Sequence, residues 1–232
     1  MARDGFNVTR SDEPGRALSI EEALARARRH AASGRRCLLG ITGPPGGGKS
    51  TLAARIVEAL GDRARLVRMD GFHLAQSELV RLGREDRKGA IDTFDAAGYV
   101  ALLRRLQAGS EDVVYAPEFH REIEEPIAGA VPVPRDVPLV VTEGNYLLVD
   151  EGEWGEVRGL LDETWYVTTS EETRLRWLIQ RHIDYGKAPD AARAWALGTD
   201  QRNAQLVRTT KARADALVHI GLDTRRAEER CP

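Results

Sequence analysis

The segment that most constrains the fold of this chain is Gly43-Pro44-Pro45-Gly46-Gly47-Gly48-Lys49-Ser50. It follows an apolar run at 37–42 and precedes a helical pattern at 50–60, so it connects a buried strand to a helix. In that setting the pattern G-x-x-x-x-G-K-[ST] predicts a loop whose backbone N–H groups cradle phosphate oxygens at a helix N-terminus. The chain is therefore expected to bind a nucleotide through this loop.

Two side chains of this loop have expected roles. Lys49 should project from the glycine loop into solvent and reach the β- and γ-phosphates, and the Ser50 hydroxyl should ligate Mg²⁺. A dinucleotide-binding fold also begins with strand, glycine loop and helix, but no G-x-G-x-x-G can be read through residues 40–51. The spacing thus favours a nucleoside triphosphate.

Apolar segments alternate with helical patterns along most of the chain. This order predicts an α/β fold of the P-loop NTPase three-layer type, with a parallel sheet covered by helices on both faces. We expect a loose N-terminal arm over residues 1–18, one domain over 19–232 and a small helical lid at about 170–190. The predicted extended segments are 37–42, 64–69, 112–115, 138–142, 163–167 and 217–220, and the predicted helices begin at 19, 50, 96, 171 and 189.

Composition excludes several classes of protein. The 34 Lys and Arg against 36 Asp and Glu give a net charge of -2 without any block of like charges, which argues against a nucleic-acid-coating role. No run approaches the 18 apolar residues of a membrane span. Two cysteines, Cys37 and Cys231, make neither a disulfide framework nor a zinc site. We expect a cytoplasmic protein, a monomer or homodimer, with neither a nucleic acid nor a membrane as partner.

Two acidic residues end two of the predicted strands. Asp70 follows the strand at 64–69, and Glu143 follows the apolar run at 138–142. Because the carboxyl ends of parallel strands share one edge of a sheet, both acids should converge on the phosphate loop. Asp70 could then accept the proton of an acceptor hydroxyl, and Glu143 could hold Mg²⁺ together with Ser50. A turn residue at Asp70 and a solvent-facing carboxylate at Glu143 remain alternatives.

Other phosphate-loop proteins lack support in this sequence. A GTP switch would need an Asn-Lys-x-Asp-type motif, and a transporter ATPase would carry a Ser-Gly-Gly signature. Mechanical ATPases usually end the magnesium-site strand in adjacent acids, whereas here Glu143 is followed by Gly144. The arrangement of acids favours a kinase.

The helical segment after the fifth predicted strand carries two arginines on one face. Arg174 and Arg181 are seven residues apart, and in P-loop kinases this region closes over the nucleotide. Arginine suits such a clamp because its fork matches phosphate oxygens and stays charged. We favour Arg181 over Arg174 as the catalytic arginine, while pairing with Glu171 and Glu172 remains the alternative.

Several motifs together resemble the phosphoribulokinase/uridine kinase superfamily. Within it the chain is most similar to the bacterial nucleoside/nucleotide kinase-like group, which includes proteins called fructose-transport-system kinases and is related to pantothenate kinase. The resemblance implies ATP and Mg²⁺ as cosubstrates, Asp70 as the catalytic aspartate and Glu143 as the magnesium-site acid. The matching segments are Gly43 to Thr51, Met69 to His73, Arg87 to Ala90, Thr93 to Asp95, Thr142 to Leu148 and Asp200 to Ala204.

The sequence departs from uridine kinases in the substrate loop. Those enzymes carry a Pro-x-Tyr-Asp-type loop, whereas this chain has Pro117-Glu118-Phe119-His120-Arg121. Phe119 replaces the hydroxyl-bearing ring and His120 replaces the acid, so a pyrimidine nucleoside is not favoured. The candidate acceptor-binding residues are His73, Phe94, Arg121 and Tyr146.

The function expected from these features is transfer of the γ-phosphate of ATP to a hydroxyl of a small metabolite. A sugar, a nucleoside and a pantothenate-like compound all remain open as the acceptor. The competing hypothesis is a non-catalytic ATP-binding regulator on the same fold. Asp70 separates the two, because a regulator has no use for a base at the acceptor position.

Overall fold

The computed structural model describes residues 16–221, and its secondary structure agrees with the alternation in the sequence. The strands are β1 (Cys37–Thr42), β2 (Ala64–Arg68), β3 (Val113–His120), β4 (Glu125–Pro134), β5 (Leu139–Gly144), β6 (Glu163–Thr168) and β7 (Ala216–His219). Five of them form a parallel sheet in the order β2-β5-β1-β6-β7, and β3 and β4 form a separate antiparallel hairpin. The predicted parallel sheet is confirmed.

Eight α-helices surround the strands over residues 16–221, with short 3₁₀ turns between several of them. They are α1 (Ile20–Ala31), α2 (Lys49–Leu60), α3 (Gln76–Leu82), α4 (Ala96–Ala108), α5 (Val157–Leu160), α6 (Glu171–Asp184), α7 (Pro189–Leu197) and α8 (Thr199–Thr209). None of the helices in this part of the chain is long and apolar enough to cross a membrane.

The sheet separates two apolar cores. Successive residues of β1 point to opposite faces, so Leu38 packs in the core beneath α4 while Leu39 packs in the core beneath α1 and α2. Both residues are fully buried, as are Leu103 of α4 and Ile56 of α2. Burial on both faces explains why β1 and the first three residues of β5 are apolar, and it gives the predicted three-layer architecture.

The N-terminal boundary of the domain differs from the prediction. The Ser19 hydroxyl accepts from the Glu22 N–H and the Glu22 carboxylate accepts from the Ser19 N–H, which is the expected start of α1. However, Leu18 belongs to the fold, because it bonds the backbone of Leu217 and His219 and is buried. The predicted arm therefore ends before Leu18. Residues 1–15 and 222–232, with Cys231, lie outside the described residues.

The β3–β4 hairpin is longer than the extended segment predicted at 112–115. It packs against the 3₁₀ turn Met69–Phe72 that follows β2. A Cβ at Gly71 would lie 2.4 Å from the Pro117 carbonyl oxygen, so the absence of a side chain permits this close approach. The hairpin thereby carries Phe119 and Arg121 to the edge of the sheet where Asp70 lies.

Strand register brings the chemically important residues to one edge. Thr42 at the end of β1 pairs with Gly144 at the end of β5, and Arg68 at the end of β2 pairs with Glu143. The phosphate loop, Asp70 and Glu143 consequently meet at the carboxyl ends of three adjacent strands, where open α/β sheets bind their ligands.

Candidate active site

The phosphate loop has the backbone conformation that its glycines predict. Gly46 and Gly48 have φ angles of +77° and +92°, which side chains other than hydrogen rarely allow. Gly48 caps α2 without any side-chain cap bond, so the first N–H groups of α2 remain available at a cavity lined by Gly46, Gly48, Ser50 and Thr51. This concave, positively polarised end of a helix fits the phosphates of a nucleotide.

Lys49 does not face solvent, contrary to the sequence-based expectation. The loop folds over its stem and leaves the residue 8% exposed. Its Nζ donates to Asn145 Oδ1 at 2.8 Å and to the Pro44 carbonyl oxygen at 3.2 Å. Burial lowers the pKa of Lys49 to about 8. The ammonium is thus held by neutral oxygens, and a phosphate would supply the missing negative charge.

Ser50 and Glu143 lie together beside the loop. The Ser50 hydroxyl donates to Glu143 Oε1 at 2.9 Å, and Arg68 Nε lies 3.6 Å from the same oxygen. Burial, reinforced by the negative charge of Asp70, raises the pKa of Glu143 above its ordinary value.

The donor set at this point fits magnesium. Residues 16–221 contain no cluster of three or more His, Cys, Asp and Glu side chains able to hold a metal. Mg²⁺ usually binds one or two protein oxygens and completes its shell with water and substrate phosphates. Ser50 and Glu143 supply that number of oxygens next to the phosphate loop.

Asp70 is the second residue of the 3₁₀ turn after β2, and its carboxylate reaches the same edge. Its Oδ2 lies 3.6 Å from Arg121 Nη2, and about a third of the side chain, 32%, is exposed. Burial acts to raise the pKa of Asp70, but the electrostatic effect of His73, Arg121 and Lys49 outweighs burial, and the pKa falls below its ordinary value. Asp70 is therefore ionised at neutral pH.

His73 is fixed beside Asp70 by its backbone and by two aromatic rings. Its Nδ1 donates to the Asp70 carbonyl oxygen at 2.7 Å, and its ring centroid lies 4.1 Å from that of Phe94 and 4.7 Å from that of Phe119. Burial lowers the pKa of His73, so the ring is neutral at physiological pH. Since Nδ1 carries the proton, Nε2 is left as a hydrogen-bond acceptor.

Two adjoining cavities meet at Asp70. The first, about 860 Å³, is lined by the phosphate loop, Trp177 and Ile220; the second, about 500 Å³, is lined by His73, Lys88 and Trp195. The residues that line both are Ser50, Asp70, Phe119, Arg121, Glu143, Arg181 and Tyr185. The arrangement can hold a phosphate donor on one side of Asp70 and a second small molecule on the other.

The two arginines of α6 occupy different environments. Arg181 lines both cavities, and its guanidinium has no hydrogen bond or ion pair with any side chain or backbone atom of residues 16–221. Burial lowers the pKa of Arg181, but arginine remains charged. Among the residues that the structure describes, only more distant carboxylates, those of Asp200, Asp70 and Glu143, offset this cation, so it is available to an anionic ligand.

Arg174 is engaged within the protein. It is 1% exposed, its Nη1 donates to the Pro45 carbonyl oxygen at 2.9 Å, and it binds both carboxylate oxygens of Glu171 at 2.8 Å. It also donates to Gln201. The structure therefore differs from the prediction that Arg174 contacts phosphate. Its hydrogen-bonding groups are occupied within the protein, and the bond to Pro45 stabilises the phosphate loop.

Tyr146 also differs from its predicted role. Its side chain is buried in the core, its hydroxyl donates to the Gly89 carbonyl oxygen at 2.6 Å, and it lines neither cavity. Phe94 does line the second cavity and packs edge-on against Tyr146. Of the four predicted acceptor contacts, the structure brings His73, Phe94 and Arg121 to the cavity.

Sequence reasoning missed three residues of the site. Asn145 accepts from Lys49, and Asp200 of α8 accepts from His182 of α6 at 2.7 Å where both line the second cavity. Asn145 directly follows Glu143-Gly144, and Asp200 opens a segment already noted for its resemblance. Their positions beside recognised motifs were the available signal.

Comparison with known proteins agrees with this geometry. Residues 38–225 match the Phosphoribulokinase / Uridine kinase family. The chain belongs to this family. Membership places it among ATP-dependent small-molecule kinases, which are phosphotransferases, and confirms the resemblance inferred from the motifs.

Relatives of this family protein carry different names. A Schizosaccharomyces pombe protein provisionally named uridine kinase C227.14 is 30% identical over 177 residues, covering 72% of this chain and 75% of the relative. A pantothenate kinase of Rhodococcus opacus is also 30% identical, over 72% of this chain and 56% of its own length. Among solved structures, a Silicibacter sp. TM1040 protein provisionally named fructose transport system kinase is 33% identical, with a TM-score of 0.77, covering 87% of this chain and 99% of the other.

Proposed function

We propose that this family member transfers the γ-phosphate of ATP to an alcohol hydroxyl of a small metabolite. The observation that carries the proposal is the position of Asp70 and Arg181 on the boundary between the two cavities. ATP would occupy the cavity of the phosphate loop, and the acceptor would occupy the cavity lined by His73 and Phe94. The acceptor hydroxyl would then lie between an ionised carboxylate and the phosphoryl group.

In this reaction a bond forms between the acceptor oxygen and the γ-phosphorus while the bond to the β–γ bridging oxygen breaks. The Asp70 carboxylate orients the hydroxyl and receives its proton. Lys49 and Arg181 would stabilise the negative charge that develops on the phosphates, and a low-dielectric site would strengthen both interactions. Ser50 and Glu143 would hold Mg²⁺, which when bound neutralises phosphate charge.

The residues of the hairpin beside the acceptor cavity do not favour a pyrimidine nucleoside as the acceptor. Phe119 packs against His73 and offers no hydroxyl, and His120 is exposed on the hairpin. Sugars and pantothenate-like compounds remain within the proposal; the names of the relatives, uridine kinase and pantothenate kinase, span a similar range. We further propose a cytoplasmic monomer or homodimer that uses neither nucleic acid nor membrane.

The test is a search for the product. Purified protein is incubated with ATP, Mg²⁺ and a bacterial small-molecule extract, and mass spectrometry identifies compounds that gain a phosphoryl group. Lys49→Met, which removes the phosphate-binding ammonium, should give no product and serves as the matched control. ATP binding without any new phosphorylated compound would contradict the proposal and favour an ATP-binding regulator.

A further inference from the structure

Most of the lysines of this chain lie at the second cavity. Of its 34 basic Lys and Arg residues only four are lysines, Lys49, Lys88, Lys187 and Lys211. Three of them line the second cavity, and Lys211 alone lies elsewhere. Lys49 is accounted for by the phosphate loop. Lys88 and Lys187 have no part in the proposed phosphoryl-transfer chemistry, so their presence on this wall needs another explanation.

Lys88 is held in place by neutral groups. Its Nζ donates to Gln76 Oε1 at 3.3 Å and to the Glu124 carbonyl oxygen, and it lies 5.4 Å from the centroid of the Phe119 ring. Within residues 16–221 no carboxylate oxygen lies within ion-pairing distance of this ammonium. The half-buried charge of Lys88 is therefore oriented by the protein but not neutralised by it.

The acidic residues of the same wall do not offset this charge. Asp200 is buried and bonded to His182, Asp70 faces Arg121, and Glu143 is buried and accepts from Ser50. Glu85 and Glu124 are exposed at the rim, where water screens their charge. None of these acidic side chains therefore forms an ion pair with Lys88, and Lys187 stacks 4.9 Å from the Trp195 ring at the opening.

Lys88 is connected to the surroundings of Asp70 through the Phe119 ring. Its ammonium and the His73 ring contact the same Phe119 ring, and His73 hydrogen-bonds the backbone of Asp70. A ligand lying across the Phe119 ring could thus present a hydroxyl to Asp70 and its other end to Lys88. An ammonium held only by neutral oxygens favours an anionic ligand, because a charge-assisted hydrogen bond to an anion is stronger than one to a neutral group.

We propose that the acceptor of this kinase is a small hydroxylated anion, a carboxylate or phosphate monoester, whose charged group binds Lys88. This inference rests on the proposed function and narrows its substrate class. The aromatic faces of Phe94 and Phe119 would pack on the carbon skeleton, while Lys88 fixes which end of the molecule faces Asp70.

The first test separates acceptors by charge. A bacterial small-molecule extract is divided on an anion-exchange resin, and each fraction is assayed for acceptor-dependent phosphoryl transfer from ATP. We expect activity in the retained fraction. Pretreating that fraction with alkaline phosphatase, which is then removed, distinguishes the sources: loss of activity identifies a phosphate monoester, and survival identifies a carboxylate.

The outcomes separate this inference from the function it rests on. Activity confined to the unretained fraction, which contains the neutral and cationic compounds, would overturn the anionic acceptor and leave the kinase proposal standing. Activity in no fraction, although ATP binds, would overturn both.

The second test uses the lysine itself, with the acceptor-active retained fraction as substrate. Lys88→Met should raise the apparent KM for the acceptor about tenfold, the loss expected for one charge-assisted contact, while the KM for ATP and the kcat at saturation change little. Lys88→Arg should recover most of the loss, and Lys211→Met should behave as wild type. An unchanged acceptor KM in folded Lys88→Met, or an equal rise in the KM for ATP, would overturn the assignment.

Discussion

The two arginines of α6 should respond to mutation in opposite ways. Arg174 makes hydrogen bonds to Pro45, Glu171 and Gln201 and is buried, whereas Arg181 has none within the described part of the chain. We therefore expect Arg174→Ala to reduce the stability of the fold and Arg181→Ala to reduce phosphoryl transfer. The effect of each mutation on stability can be measured without knowing the acceptor.

The size of the stability loss follows from the contacts. Hydrogen bonds to a charged group contribute about 1.5–3 kcal/mol each, but Glu171 is 46% exposed and regains water when its partner is removed. The Pro45 carbonyl is less accessible and would lose its partner within the fold. We therefore expect a loss of about 3 kcal/mol for Arg174→Ala, which lowers the Tm of a domain of this size by roughly 6–12 °C.

Acidification provides an independent check on the same contact. Hydrogen bonding to Arg174, with a smaller effect of Arg208, lowers the pKa of Glu171 to about 2. A depressed carboxyl pKa contributes stability above the unfolded-state pKa, near 4.5, and that contribution disappears as the pH falls through about 2. The stability difference between wild type and Arg174→Ala should therefore narrow over this range.

Thermal unfolding by circular dichroism measures these effects, and ATP turnover completes the comparison. Arg181→Ala should keep the wild-type Tm within about 2 °C and lose at least about a hundredfold in kcat, the usual loss for one electrostatic group at a transferring phosphoryl. Arg174→Ala should lose mainly ATP affinity. The reasoning would be refuted if Arg174→Ala had the wild-type Tm, or if Arg181→Ala were the less stable variant.

Three further predictions concern the phosphate loop and the magnesium site. Gly46→Ala should lower the Tm and abolish ATP binding in calorimetry, because its Cβ would lie 2.7 Å from the Arg174 carbonyl oxygen. Gly34→Ala is the control: its φ of +80° is similar but the space around it is open, so it should lower the Tm only through backbone strain. An equal loss of Tm in the two variants would contradict the packing argument. Lys49→Met should keep the ligand-free Tm or raise it, since burial of the charge lowers the pKa of Lys49 to about 8, but ATP should no longer raise the Tm; retained stabilisation by ATP would exclude the assigned role. Glu143→Gln should raise the Mg²⁺ concentration needed for half-maximal turnover about tenfold or more, and full activity in chelator would contradict the metal assignment.

The central sheet and phosphate loop could be predicted because their signals are local. Both faces of β1 and β5 are buried, so β1 and the first three residues of β5 form apolar runs, and the Gly43–Ser50 pattern predicts a backbone conformation directly. Position of the acids followed from one topological rule, that parallel strands end at a common edge. The rule needed only the strand order along the chain, not the order within the sheet.

The hairpin and the last helix were missed for physical reasons. β4 contains Pro126, Pro132 and Pro134 and is largely exposed, so it lacks the buried alternation that marks a strand. α8 is mostly polar because only one side of it packs, through Asn203, Ala204 and Val207. Both elements are defined by what they pack against.

Side-chain environments in the site could not be read from the sequence either. Lys49 is buried because Asn145 and Pro44 happen to enclose its ammonium, and Arg174 is turned from the phosphates by Pro45 and Glu171. The pattern identified the residue types, while long-range contacts decided which arginine remained free.

The most direct test of the proposed mechanism is to measure the ATP affinity and the phosphoryl-transfer rate of Asp70→Asn and to compare both with the wild type. The amide keeps the size of the carboxylate but cannot accept the proton, so ATP·Mg²⁺ affinity should stay near wild type while transfer slows at least about a hundredfold. Glu118→Gln, which removes another carboxylate of the same cavity, should transfer at close to the wild-type rate. Transfer by Asp70→Asn within about threefold of wild type, well short of the usual general-base contribution, would contradict the assignment of Asp70 and with it the kinase mechanism proposed for this site.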